Sequence, residues 1–263
     1  CRHPQSLHAL GHAHDRSGDH AVNPSGVWGT TRSIDLCNKA LYSKGFMTPM
    51  MVNEEFRQAG FFIKTMEEFI ESSTSTEVER LKAEANALNP DDVEEFWAWN
   101  FPVHWEDVIG TRIRSAFCTQ ICSQVEATLG KICELVRVLE RCPLTIKDIK
   151  SGAVLEQHKN YLSKVGNFNG PPKILWDEMG NIFRLRNILI HEEGYLGAKR
   201  DQNLVNFLAL LPNIKIQNDF VQLQSGSCPA LLAVARRFSD ALFAEYDILI
   251  QRLRAAEPST TAL

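Results

Sequence analysis

Apolar side chains recur every three or four residues along most of the chain, a pattern that predicts long amphipathic helices. The pattern is clearest over residues 105–141, where the apolar row runs from Phe117 to Leu139 and Pro143 ends the helix. Residues 173–191 and 229–254 predict two further long helices. These three segments indicate a helical bundle.

The N-terminal part of the chain predicts shorter helices. Apolar residues recur at helical spacing over residues 34–70. A proline in the segment 47–49 interrupts this pattern, which therefore predicts two helices. An acidic helix is expected over residues 76–88, and a short one begins at Asp91. Because acidic residues surround the aromatic side chains of this short helix, we expect them in the core or at an interface rather than stacked on bases. These aromatic residues are Phe96, Trp97 and Trp99.

Two smaller elements complete the predicted fold. Residues 147–164 predict a helix that Gly152 interrupts early, and the composition of residues 166–172 indicates a loop. Residues 214–216 and 221–223 alternate in period two around Asn218-Asp219, which predicts a β-hairpin. The predicted fold class is therefore mainly α, a helical bundle with a small β-hairpin before the last helix.

The predicted helices divide the chain into four parts. Residues 1–33 hold five of the eight histidines and have no apolar periodicity, so we expect a disordered or remnant tail rather than a metal site. Residues 34–102 are interpreted as a helical extension packed on the core, and residues 103–255 as the main helical domain. Residues 256–263 form a C-terminal tail.

Charge is distributed unevenly. Residues 67–107 carry twelve acidic side chains against only Arg80 and Lys82, so this stretch has a balance of −10. Because the whole chain has a net charge of −4, the remainder carries +6. The acidic stretch is typical of a solvated surface, and the basic remainder leaves room for an anionic ligand elsewhere.

The cysteines and the hydropathy pattern indicate the compartment. Seven cysteines without disulfide-type spacing indicate reduced thiols. Cys118 and Cys122 are interpreted as packed thiols, because no second Cys or His pair stands nearby to complete a metal site. No apolar run approaches the roughly eighteen residues that would cross a bilayer. We therefore expect a cytoplasmic protein with no membrane contact.

The candidate chemistry lies at the end of helix 173–191. There Arg186-Asn187 is followed by His191, four residues after Asn187, and Gly194 is expected as the left-handed residue after the helix. This segment resembles the signature of the HEPN superfamily, an Arg and a polar residue followed by a His. The resemblance extends over residues 103–253, with helix 105–141 and its Glu126 similar to the family's long first core helix.

The resemblance implies a metal-independent endoribonuclease that acts as a homodimer with two motifs facing one cleft. It also implies a toxin or phage-defence role, with an antitoxin or regulatory protein as partner, and no cofactor or metal. The apolar faces of helices 105–141 and 173–191 are expected to form the dimer interface.

The residue types suit this chemistry. His191 can exchange a proton near neutrality, Arg186 can stabilise phosphorane charge, and Asn187 can orient the imidazole or bind phosphate. Further substrate-binding residues are expected among Arg184, Lys173 and Glu126.

An ideal helix leaves the motif geometry open. At 100° per residue, Arg184, Asn187 and His191 share a face, whereas Arg186 lies about 140° from His191. Three arrangements could bring an Arg and a His together: the Arg186 side chain reaches around the helix, the helix loosens before His191, or the cooperating Arg and His come from different subunits. Arg184 is an alternative candidate for binding the phosphate. The competing interpretations make Arg186 a structural ion-pair partner and His191 a helix cap. They correspond to an inactive HEPN-like module that binds a nucleotide, RNA or a protein, or to a purely structural interaction protein.

Overall fold

The computed structural model describes residues 49–100, 104–150, 152–197 and 201–256. The predicted N-terminal tail and the predicted helix before residue 47 lie outside the described residues. So does the C-terminal tail from residue 257 onward.

The described residues form seven α-helices and one two-stranded hairpin, which confirms the predicted mainly α fold class. The helices are α1 Pro49–Asn86, α2 Val93–Trp99, α3 Thr111–Leu139, α4 Val154–Val165, α5 Lys173–His191, α6 Gln202–Ala209 and α7 Ser227–Ala255. The strands are β1 Ile214–Gln217 and β2 Phe220–Leu223. Short 3₁₀ turns span Pro90–Asp92 and Ile146–Asp148, and a π-helical segment spans His104–Gly110.

Helix α3 lies at the centre of the bundle and packs against α4, α5 and α7. Its apolar row, from Phe117 to Val136, is almost completely buried, as are Met179 and Leu185 of α5. The apolar faces that we expected at a dimer interface therefore form the core of a single chain. That part of the prediction is wrong, because amphipathic periodicity does not distinguish a core face from an interface face.

Helix α1 is one continuous helix, whereas the sequence predicted two, one from the break at residues 47–49 to about residue 70 and one over residues 76–88. The hydroxyl-rich stretch between them lowers intrinsic helix propensity. Within α1, however, Ser75 and Thr76 donate hydrogen bonds to carbonyls one turn back, at 3.0 and 2.9 Å. Ile70 and Leu81 are buried on either side of the stretch, so packing maintains the helix through it.

A buried arginine joins α1 to the rest of the fold. Arg114 of α3 is 1% exposed and donates to the Glu67 carboxylate of α1 at 2.6 and 2.9 Å. It also donates to Glu106 at 2.9 Å and to the Leu223 carbonyl at 3.3 Å. A Cβ at Gly110 would lie 3.0 Å from its Nη1, so glycine leaves space for the guanidinium. One side chain thus connects α1, α3, the π-helical segment and the hairpin.

Two predicted helices begin differently from expectation. The helix predicted over 105–141 starts as the π-helical segment and becomes α3 at Thr111. The helix predicted over 147–164 is a 3₁₀ turn, closed by a Thr145–Asp148 capping box, followed by α4 from Val154. Gly152 lies between these two elements, which explains the early interruption in the pattern.

The hairpin and the short helix α2 agree with the sequence, whereas α6 does not. Strands β1 and β2 are antiparallel, and Asn218 and Asp219 form the turn with φ of 50° and 63°, as a two-residue hairpin turn requires. Helix α6 was not predicted. Helix α2 buries none of its residues and Trp99 is 82% exposed, so its aromatic side chains do not lie in the core. Their other expected place, an interface, remains a prediction.

Candidate functional site

Helix α5 has the predicted bounds and presents the motif on two different faces. Its core face carries Trp176, Met179, Ile182 and Leu185. Arg186 follows Met179 and Ile182 at helical spacing and is half-buried, whereas Arg184 and Asn187 are exposed on the other side. Arg186 therefore leaves the helix on a different face from Arg184 and Asn187.

Arg186 reaches from the core side of α5 toward the solvent. Its Nη1 donates to Oδ1 of Asn187 at 2.8 Å, while its Nε is buried without a hydrogen-bond partner in the described part of the chain. Because the Asn187 carbonyl accepts from Arg186, the Asn187 amide group remains available as a donor. The guanidinium and this amide together form a donor pair at the edge of the helix.

The other two predicted cations on α5 are paired with carboxylates. Arg184 Nη1 lies 2.7 Å from Oδ2 of Asp201, and Lys173 pairs with Asp177 one turn along the helix. All four side chains are substantially exposed, so these pairs are held weakly and an anionic ligand can compete for the cations.

Most of the predicted site residues meet in one groove of about 860 Å³, called here the α5 groove. It is lined by Glu126 of α3, residues 152–156 and Lys159 around the start of α4, Lys173, Ile174, Trp176, Asp177, Glu178, Gly180, Asn181, Phe183, Arg184, Arg186 and Asn187 of α5, and Asn203, Asn206, Phe207 and Leu210 of and after α6. Five of the six predicted site residues therefore line this groove, and His191 is the exception.

His191 lies at the C-terminal end of α5, exposed and outside the α5 groove. Within the described residues its ring makes no hydrogen bond. The helix ends through Glu193, which has the left-handed φ of 49° predicted for Gly194. Gly194 follows with φ of 90°, and a Cβ there would lie 3.0 Å from the Val221 carbonyl. Glycine is needed because strand β2 approaches the end of α5 closely.

The hairpin lies against the segment that directly follows α5 and His191. Val221 donates a backbone hydrogen bond of 2.8 Å to the Gly194 carbonyl, and the rings of Tyr195 and Phe220 are 5.1 Å apart. These rings and Ile190 are between 41% and 45% exposed. His191 is therefore next to partly exposed apolar surface, whereas Arg186 and Asn187 face the α5 groove.

Four free thiols are buried, those of Cys118, Cys122 and Cys133 of α3 and Cys228 of α7. A hydrogen bond with Cys122, together with burial, raises the pKa of Cys118 well above its ordinary value, and the nearby Arg186 charge only partly opposes this. Burial raises the pKa of Cys133 and Cys228 to about 12. These thiols stay protonated at neutral pH and serve as packing groups.

Sequence reasoning missed two walls of the groove, the start of α4 and all of α6. A signal for α6 was present: Asp201 accepts from the backbone of Asn203 and Leu204 as a helix cap, and Leu204, Phe207 and Leu208 have helical spacing. The segment has only eight residues, too short to stand out as a periodic pattern.

Comparisons with protein-family models, with curated proteins and with solved structures found no match. The family resemblance of the motif therefore remains a prediction from the residues. No helix in the described part of the chain is both long and apolar enough to cross a membrane. Within the same residues, no three His, Cys, Asp or Glu side chains are grouped so that they could hold a metal ion.

Proposed function

We propose that the protein is a metal-independent endoribonuclease of the HEPN type, acting in the cytoplasm. The observation that carries the proposal is the α5 groove, where Arg184, Arg186 and Asn187 offer cationic and amide donors beside one another. Arginine forks and amide donors are suited to phosphate oxygens. A toxin or phage-defence role, with an antitoxin or regulatory protein as partner, is proposed from the resemblance alone.

The position of His191 favours an active site shared between two copies of the chain. In this proposal the α5 groove of one copy supplies Arg186 and Asn187, and the second copy supplies His191. The partly exposed Ile190, Tyr195 and Phe220 provide apolar surface next to His191 on which a second copy can pack. This is a different surface from the helix faces that form the core.

The proposed reaction needs only the residues of the motif and the RNA. His191 removes the proton of a 2′-hydroxyl, and the 2′-oxygen attacks the adjacent phosphorus while Arg186 stabilises the developing charge. The bond to the 5′-oxygen then breaks, and the proton is returned to that oxygen. The products are a 2′,3′-cyclic phosphate and a 5′-hydroxyl.

The test is cleavage of a mixed-sequence RNA in EDTA, with analysis of the product ends. We expect cyclic phosphate ends, inert DNA, and a loss of about a hundredfold to ten-thousandfold in His191→Ala. Arg186→Ala should cost at least about a hundredfold, because it removes charge stabilisation of the transition state. Arg236→Ala, an exposed arginine on α7, is the matched control. Activity that survives His191→Ala would eliminate the proposed mechanism.

A second candidate function is an inactive HEPN-like module that binds a nucleotide, RNA or a protein partner. It is favoured by the two exposed carboxylates, Glu192 and Glu193, that directly follow His191, since they repel a polyanion. In this case RNA binding measured by fluorescence anisotropy should be unchanged in His191→Ala, and no RNA should be cleaved by the unaltered protein.

A further inference from the structure

The walls of the α5 groove differ in charge. Every charged side chain that lines it belongs to α3, α4 or α5. Helix α6 carries no charged residue, and it contributes the carboxamides of Asn203 and Asn206 together with Phe207. The groove therefore has one charged side and one side that offers only amide and apolar groups.

The two carboxamides of α6 are free to bind a ligand. Asn203 and Asn206 are exposed and three residues apart, so they lie on the same face of the helix. The Oδ1 of Asn206 accepts from Gln202 at 2.8 Å, which leaves its amide group as a donor. The Asn203 side chain makes no hydrogen bond within the described residues, so both its donor and its acceptor are available.

Helix α6 is also held firmly in place. Leu204 and Leu208 are buried, Asp201 caps the helix, and the same Asp201 carboxylate pairs with Arg184 of α5. Recognition groups on a fixed element discriminate better than groups on a loop, because their positions do not adjust to the wrong ligand.

A nucleotide matches this distribution of charge, because it carries a charged phosphate at one end and an uncharged base at the other. Resting on the proposed ribonuclease function, we infer that α6 recognises an unpaired base of single-stranded RNA while the cations of α5 hold the phosphate. A carboxamide can pair with a base edge through one donor and one acceptor. The base must be unpaired, since side chains cannot read the deep, narrow major groove of an RNA duplex.

The experiment is cleavage of a random-sequence RNA pool, followed by sequencing of the cut ends. We expect the unaltered protein to show a base preference of about tenfold at one nucleotide next to the cut, the scale of one amide–base pair. Asn203→Ala and Asn206→Ala should each weaken that preference, and the double variant should reduce it to less than about twofold. Gln251→Ala, an exposed amide side chain on α7, should leave it unchanged. The same pool annealed to its complement should resist cleavage.

The outcomes separate this inference from the function on which it rests. If the protein cuts RNA but the base preference persists in the double variant, α6 does not read the base and the ribonuclease proposal stands. Efficient cleavage of the duplex pool would likewise overturn the inference alone. If the unaltered protein cuts no RNA, both fall. A structural role for the two asparagines would change the overall rate without changing the base preference.

Discussion

Replacing Arg114 with methionine should destabilise the protein more than any comparable surface change. Methionine keeps the apolar length of the side chain but removes a guanidinium that is 1% exposed. The Glu67 and Glu106 carboxylates then lose a bidentate partner. Removing one partner of a buried ion pair costs about 3–5 kcal/mol.

The lower end of that range applies here, because the two carboxylates keep some access to water. Their side chains are 16% and 36% exposed, so part of the lost interaction is replaced by hydration. We expect a loss of about 3 kcal/mol in the free energy of unfolding. For a domain of this size, that corresponds to a decrease in Tm of about 6–12 °C.

The assay is urea unfolding followed by circular dichroism, with Arg80→Met as the matched control. Arg80 of α1 also pairs with two carboxylates, Glu77 and Glu84, but it is half exposed, so its loss should be barely measurable. Adding Glu67→Gln to Arg114→Met should cost less than the sum of the single changes, because the two residues interact. Equal effects of Arg114→Met and Arg80→Met, or strict additivity with Glu67→Gln, would refute the role assigned to this ion pair.

Three further predictions concern pH and the groove. Burial lowers the pKa of His158 below its ordinary 6.5, so below that pH the unfolded chain binds a proton that the folded protein does not. The free energy of unfolding should therefore fall on acidification, and it should fall less in His158→Asn. Urea titrations at several pH values measure this difference. Asp201→Asn keeps the helix cap but frees Arg184, so the RNA affinity measured by fluorescence anisotropy should rise up to about fivefold. The control Asp240→Asn, which changes an exposed residue of α7, should leave the affinity unchanged. No gain in Asp201→Asn would mean that the ion pair does not restrain the Arg184 side chain. Arg184→Ala should weaken RNA binding severalfold and reduce the salt dependence of binding, whereas Lys82→Ala on the acidic helix α1 should do neither. Equal effects of the two substitutions would mean that the RNA binds away from the α5 groove.

The long helices and the hairpin were predictable because each has a strong periodic signal. Helix α5 has its predicted bounds, and the Asn218-Asp219 turn closes the hairpin where expected. The errors have local causes. The hydroxyl-rich stretch of α1 has low helix propensity that packing overrides, and α6 is too short for its period to be evident.

The candidate site was predictable only in part. Spacing on an ideal helix predicted that Arg184, Asn187 and His191 share a face and that Arg186 lies away from His191. In the structure Arg184 and Asn187 line the α5 groove together with Arg186, and His191 lies outside that groove. The sequence did not reveal that the groove continues onto α6, since that requires the fold to bring Asn203 beside α5. Nor did it reveal that Gly194 lies against β2, which places the end of α5 next to the hairpin.

The central claim is that Arg186 and His191 act together across two copies of the chain. The most direct measurement is RNA cleavage in EDTA by a heterodimer of Arg186→Ala and His191→Ala chains, isolated with two different affinity tags. If the motifs are shared, one of its two sites combines an intact Arg186 with an intact His191 from the other copy. We predict about half of the wild-type rate, while both parent homodimers are inactive. A heterodimer as inactive as its parents, or a protein that remains monomeric, would contradict the claim.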